Sequence, residues 1–177
     1  LTKDQLVAID QINNDLKSNQ KMFRLLQGDV GSGKTIVALI ASMNVISSGF
    51  QVCIMAPTEI LVKQHYNLAK KIFDKKINIK ILTSKTEFKE RKEIINDLNN
   101  DSINLIIGTH SLFQEKIKYY NLGLIVIDEQ HKFGVKQRKK LSDKGGNNCD
   151  VLVMSATPIP RTMIMTVFGD MDTSIIK

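Results

Sequence analysis

Short, predominantly apolar runs punctuate the chain at Phe23 to Leu26, Val52 to Met55, Ile77 to Leu82, Ile103 to Ile107, Leu124 to Ile127 and Val151 to Met154. Runs that stay apolar instead of alternating with polar positions read as strands covered on both faces, the pattern of a parallel sheet. The stretches between them are patterned differently. Lys34 to Ser47 is largely apolar, and Thr58 to Phe73 repeats apolar residues at Leu61, Leu68 and Ile72 and again at Val62, Ala69 and Phe73, spacings that return to one helix face. Strand and helix therefore alternate, which predicts an α/β fold: a doubly wound, mostly parallel sheet with helices on both faces. Thr2 with Gln5 and Ser84 with Glu87 both have capping-box spacing, which predicts a helix start at each.

A chain of 177 residues, 42% hydrophobic and 24% charged, can bury a core of its own and fits one domain over residues 1–177. Its longest unbroken apolar stretch, Ile36 to Ala41, is far shorter than the roughly 18 residues of a membrane helix, and nothing at the N-terminus resembles a signal peptide. No membrane association and a cytoplasmic location are expected. Cys53 lies in a strand-like run and Cys149 near a turn, with no CxxC pair or accompanying His, so both read as ordinary reduced thiols. The net charge of +7 is compatible with a polyanionic partner, although a lysine-rich surface also serves solubility alone. There is no internal repeat, Lys144 to Asn148 reads as a loop, and a chain that opens on Leu1 instead of Met reads as part of a larger protein.

The segment Gly28-Asp29-Val30-Gly31-Ser32-Gly33-Lys34-Thr35 satisfies G-x4-G-K-[ST] where that pattern has a mechanism, directly after a strand and at the opening of a helix. Glycines let the backbone curl so that successive amide hydrogens converge, and the helix adds the positive end of its dipole. A triphosphate such as ATP fits that cradle, with Lys34 against the β- and γ-phosphates and the Thr35 hydroxyl on Mg2+. The bland reading, a glycine-rich turn with a solvated lysine, does not account for the strand and helix on either side.

Gly123 to Ile127 leads into Asp128-Glu129-Gln130-His131, and adjacent acids at the carboxyl end of a buried strand need a reason. A cation supplies one: Asp128 can hold magnesium through its water shell, and Glu129 can orient or deprotonate the water that attacks the γ-phosphate. An acidic strand end can equally be a solvated turn, but a parallel sheet brings its strand ends to one carboxyl edge, so the phosphate loop and the acid pair form one site.

Ser155-Ala156-Thr157-Pro158 follows the last apolar run, placing its hydroxyls near the same edge. Taken together, these segments resemble those of the superfamily 2 helicases: the phosphate loop, Ala56-Pro57-Thr58-Glu59, Gly108-Thr109-His110, the D-E-x-H box and S-A-T occur in that family's order. Arg24 to Thr35, Met55 to Leu61, Ile127 to Val135 and Ala156 to Thr162 look like the RecG-type branch-migration helicases, and the resemblance covers essentially the whole chain. The related transcription-repair coupling translocases share the G-D-V-G-x-G-K-T and F-G-V elements, but they typically carry Glu in the third position of the acid box, where this chain has Gln130.

The resemblance implies a RecA-like P-loop NTPase domain, the first of two motor domains, in a bacterial, nucleoid-associated protein that couples Mg-ATP hydrolysis to movement on double-stranded and branched DNA. It implies that a second motor domain and a wedge domain lie elsewhere in the parent protein. It places Gln5 in a segment whose glutamine recognises adenine, a reading that stands beside the capping box. By the same resemblance Pro57, Thr58, Gly108 and Thr109 face the DNA, where amides and hydroxyls hold phosphates without reading bases. Gln130, His131, Ser155 and Thr157 are similar to residues that couple the nucleotide state to contacts between motor domains. Lys132 departs from the usual Arg, which puts a bidentate contact there in doubt, and Arg161 matches a family position without an assigned role. Two other readings remain: a P-loop kinase or transport ATPase, which leaves the S-A-T and A-P-T-E segments unexplained, and an ATP-dependent DNA clamp, against which Glu129 argues.

Overall fold

The computed structural model describes residues 1–128, 149–158 and 171–177. Its strands are β1 (Phe23–Gly28), β2 (Gln51–Met55), β3 (Ile79–Leu82), β4 (Leu105–Gly108), β5 (Leu122–Asp128), β6 (Asp150–Ser155) and β7 (Asp172–Ile176), and its helices are α1 (Lys3–Lys17), α2 (Lys34–Ser47), α3 (Glu59–Ile72) and α4 (Phe88–Asn99), with a short 3-10 turn at His110–Phe113. The strands form one sheet in the order β3-β4-β2-β5-β6-β1-β7, with every described pairing parallel. Central strands β2 and β5 are buried at every position, as continuous apolar runs require.

Alternate residues feed two cores. Leu26, Ile54, Val126 and Leu152 face α1, α2 and α3 through Ile12, Val37 and Val62. Leu25, Cys53, Ile125 and Val153 face the other side, where Ile94 and Leu98 of α4 and Leu112, Phe113 and Ile117 cover them. Helices thus lie on both faces, as the alternation of strand and helix predicts. Both unpaired thiols are buried, Cys53 beneath the Tyr119 hydroxyl at 3.6 Å, and burial pushes each up to about 12.

The predicted helices at 34–47 and 58–73 form, with Thr58 and Phe73 as the caps of the second. The capping box at Thr2 and Gln5 forms with both bonds in place, Gln5 N to Thr2 Oγ1 at 3.2 Å and Thr2 N to Gln5 Oε1 at 2.9 Å. The box expected at Ser84 and Glu87 does not form. Thr83 and Thr86 close a turn there instead, Thr83 N donating to Thr86 Oγ1 at 3.0 Å, and Glu87 becomes the N-cap of α4 without a side-chain cap. β7 is an addition to the expected strands. It pairs with β1 as an edge strand, and Arg24 of β1 is buried beneath it, reaching Asp15 of α1 at 2.7 Å and Ser174 of β7 at 3.0 Å. Among the described residues no helix is long and apolar enough to cross a membrane.

Candidate active site

β1 delivers the chain at Gly28 and α2 receives it at Lys34, so residues 29–33 turn at the carboxyl edge of the sheet. Gly33 caps α2 with φ 86°, a left-handed conformation, and a Cβ there would also run into the Gln5 amide nitrogen. Gln5 itself is buried and donates from Nε2 to Ser32 O at 2.8 Å, while its Oε1 accepts from Thr2 N. The residue that the sequence assigned either to a cap or to a base thus closes the capping box and braces the phosphate loop. Lys34 Nζ donates to Gly28 O at 2.6 Å and Asp29 O at 2.8 Å, which holds its ammonium over the mouth of the loop.

A pocket of about 300 Å3 opens beside this loop, lined by Val30, Gly31, Lys34 and Thr35 from the loop and α2, His65 from α3, and Asp128 from the end of β5, with Ala156 of the S-A-T segment at its edge. The register explains the convergence: β6 lies between β1 and β5, pairing Gln27 with Ser155 on one side and Met154 with Asp128 on the other. Asp128 is only 9% exposed, and its Oδ2 lies 2.6 Å from His65 Nε2. The sequence reading missed His65. Its signal was a polar residue between Val62 and Ala69 on the buried stripe of α3.

The donor set suits a triphosphate and a divalent cation. Ser32 Oγ is buried with no hydrogen-bond partner among the described residues, an orphan hydroxyl inside the loop. An ammonium, the start of α2, the Thr35 hydroxyl and a carboxylate line one pocket. Those are oxygen ligands for a hard cation and donors for phosphate oxygens. Glu129, Gln130, His131, Lys132 and Arg161 lie outside the described residues.

The remaining expected residues fall into two groups. Ser155 and Thr157 bond to each other, Ser155 Oγ to Thr157 Oγ1 at 3.2 Å and Thr157 N to Ser155 Oγ at 3.3 Å, so among the described residues the S-A-T turn closes on itself. Pro57 and Thr58 follow β2, and Gly108 and Thr109 end β4 and follow it; these strands are neighbours, with Met55 opposite Gly108 and Ala56 N donating to Gly108 O at 2.9 Å. The four residues therefore share a zone of the carboxyl edge on the far side of β5 from the phosphate loop. Thr58 Oγ1 accepts from Leu61 N at 3.3 Å as a helix cap, and Thr109 Oγ1 lies 2.9 Å from Ser111 Oγ. Alongside them Lys85 Nζ meets Glu59 Oε2 at 2.8 Å, a hydrogen bond that holds the Glu59 carboxyl below its ordinary range.

Comparison with known proteins bears on this geometry. A family model described as DEAD/DEAH box helicase matches residues 2–166. The ATP-dependent DNA helicase RecG of Borreliella burgdorferi is 47% identical over the whole chain, which spans 26% of that relative, and RecG of Aquifex aeolicus is 48% identical over 99% of the chain and 22% of its own length. A solved structure of RecG bound to a three-way DNA junction superposes with a TM-score of 0.85 at 43% identity, covering 100% of this chain and 24% of that one. The Hef helicase domain of Pyrococcus furiosus shares the fold, with a TM-score of 0.71 at 21% identity over 97% of this chain and 37% of that one. The chain therefore spans about a quarter of the length of the RecG relatives it matches.

Proposed function

The chain belongs to the DEAD/DEAH box helicase family, and from that premise we propose that it is the first motor domain of a RecG-type ATP-dependent DNA helicase, acting on double-stranded and branched DNA. The seven described strands form a parallel sheet of the RecA-like helicase fold. The observation that carries the reading is the single pocket that gathers Gly31, Lys34 and Thr35 with Asp128 from residues far apart in sequence. In this reading Lys34 and the amides of residues 28–35 bind the β- and γ-phosphates of ATP, and Thr35 and Asp128 hold Mg2+, which draws off the charge that develops on those phosphates. Glu129, next in sequence after Asp128, prepares the attacking water. Gln130, His131, Ser155 and Thr157 carry the nucleotide state toward a second motor domain. Thr58, Gly108 and Thr109 hold the DNA backbone, since caps and turn amides grip phosphates without reading sequence, and Pro57, which has no N–H to donate, faces the DNA beside them. A second motor domain and a wedge domain complete the parent enzyme, whose work is remodelling of stalled forks and Holliday junctions. The experiment is phosphate release by the full-length enzyme on forked and linear duplexes, with the Lys34→Ala variant beside it. Stimulation greater on the fork and abolished in the variant supports the reading. Equal stimulation on the two duplexes favours a translocase without preference for branches, and no DNA-stimulated release overturns the hydrolysing motor in favour of a clamp.

A further inference from the structure

Helix α3 belongs to both zones of the carboxyl edge. It starts at its cap Thr58, in the zone of Gly108 and Thr109, and from its first turn onward it is a wall of the nucleotide pocket, where Leu61, Gln64, His65 and Leu68 line the cavity, His65 about two turns from the cap. The strongest contact across that wall is His65 Nε2 to Asp128 Oδ2 at 2.6 Å, with both side chains about nine-tenths buried. Such a bond fixes the rotamer of Asp128 and occupies one of its two oxygens, leaving the other for a cation's water shell.

We propose that His65 is a positioning residue: it holds the Asp128 carboxylate in its cation-binding orientation and joins that carboxylate to the helix whose first turn holds DNA, so that DNA binding is felt at the nucleotide. The inference rests on the function proposed above. A histidine kept only for packing needs some hydrogen-bond partner, because an unpaired polar group in an apolar stripe is costly. The partner here is the one described acid that lines the pocket. Among the described residues this is the hydrogen bond that ties α3 to β5 at that edge, over the apolar packing of Val62 in the core that holds Val126.

The test uses the full-length enzyme and its His65→Leu and His65→Gln variants. Leu keeps the buried volume and removes the bond; the longer amide of Gln can still reach the carboxylate. The first readout is the Mg2+ concentration that half-saturates binding of a fluorescent ATP analogue, with affinity in EDTA as the reference. The second is the ratio of DNA-stimulated to basal ATP hydrolysis. In His65→Leu the half-saturating Mg2+ concentration rises about tenfold, the loss typical of an outer-shell partner, while affinity in EDTA stays within about twofold. The stimulation ratio falls with it, and His65→Gln restores most of both. Should His65→Leu fail to fold, His65→Asn, whose amide is too short to reach, serves in its place. A folded Leu or Asn variant with unchanged Mg2+ dependence and stimulation overturns the inference while leaving the ATPase assignment standing. A wild-type enzyme that binds no nucleotide, or that DNA does not stimulate, overturns the assignment itself and the inference with it.

Discussion

Replacing Gln5 separates two roles that one side chain can hold. In the structure its Oε1 accepts from Thr2 N and its Nε2 donates to Ser32 O, so Gln5→Ala removes two bonds in a buried setting. At about 1 kcal/mol net for each, with the capping contribution in the same range, the loss is about 2 kcal/mol. A domain of this size loses roughly 2–4 °C of Tm for each kcal/mol, so thermal unfolding without nucleotide should fall by about 4–8 °C. Gln5→Glu should cost more than Ala, since it keeps the acceptor toward Thr2 but turns a carboxylate toward the Ser32 carbonyl. Thr2→Ala, which removes only the Oγ1 acceptor of Gln5 N, should cost about half as much. The assay is circular dichroism melting of the four proteins, followed by competition of ATP and GTP for the site. A shift below about 1 °C for Gln5→Ala, alongside a loss of ATP preference over GTP, would refute the bracing role and leave Gln5 as a reader of the base.

Three further outcomes follow from the same contacts. Burial holds the Asp150 carboxyl above its ordinary value, against the lowering effect of its bond from Met22 N at 2.7 Å. An acid raised on folding favours the folded state at low pH and loses that contribution as pH rises through its folded value. Asp150→Asn keeps an acceptor for Met22, so its urea midpoint relative to wild type should improve between about pH 4 and pH 7, and a pH-independent difference would count against the desolvated charge. Cys53 and Cys149, both pushed up to about 12 by burial, should resist iodoacetamide at neutral pH and become labelled only along the urea transition, followed by mass spectrometry; rapid labelling of the folded protein would contradict their burial. Leu152→Ala, at a fully buried position in β6, should cost about 2–5 kcal/mol in urea unfolding, and a cost below about 1 kcal/mol would mean that the site collapses around the deletion.

The strands that the sequence reveals are those whose runs are apolar enough to be buried on both faces. β7 escapes that signal because Asp172–Ile176 exposes alternate side chains at the sheet edge and is held by main-chain pairing and by Ser174 on Arg24. Arg24 itself interrupts an apolar run, and only the fold shows that Asp15 and Ser174 satisfy its charge. The phosphate loop is legible because its chemistry is local: glycines, lysine and threonine must be consecutive for the backbone to curl and the helix to start. His65 is the opposite case. Nothing near it in sequence requires a histidine, and its partner Asp128 ends β5 while His65 lies on α3, so only the fold brings the two to 2.6 Å. The Ser84 box was misleading for a related reason: the spacing was right, but the neighbouring Thr83 and Thr86 bond to the chain first and move the cap to Glu87.

Sheet order also explains why the pocket depends on residues that never touch it. β1 and β2 are consecutive in the chain but stand three strand spacings apart, about 14 Å at the usual separation, with β5 and β6 inserted between them. The phosphate loop at the end of β1 therefore lacks its carboxylate wall until β5, about a hundred residues later in sequence, has found its place beside β2, and β6 must enter to fix the distance between loop and acid. Leu152 and Val153 of β6 set that spacing while facing opposite cores, away from the pocket. A substitution that loosens β6 should consequently weaken nucleotide binding as well as stability. The same insertion brings β5 next to β2, and hence Asp128 next to the strand that launches α3. The nucleotide zone and the zone of Thr58, Gly108 and Thr109 thus become neighbours along one edge through the topology of the sheet.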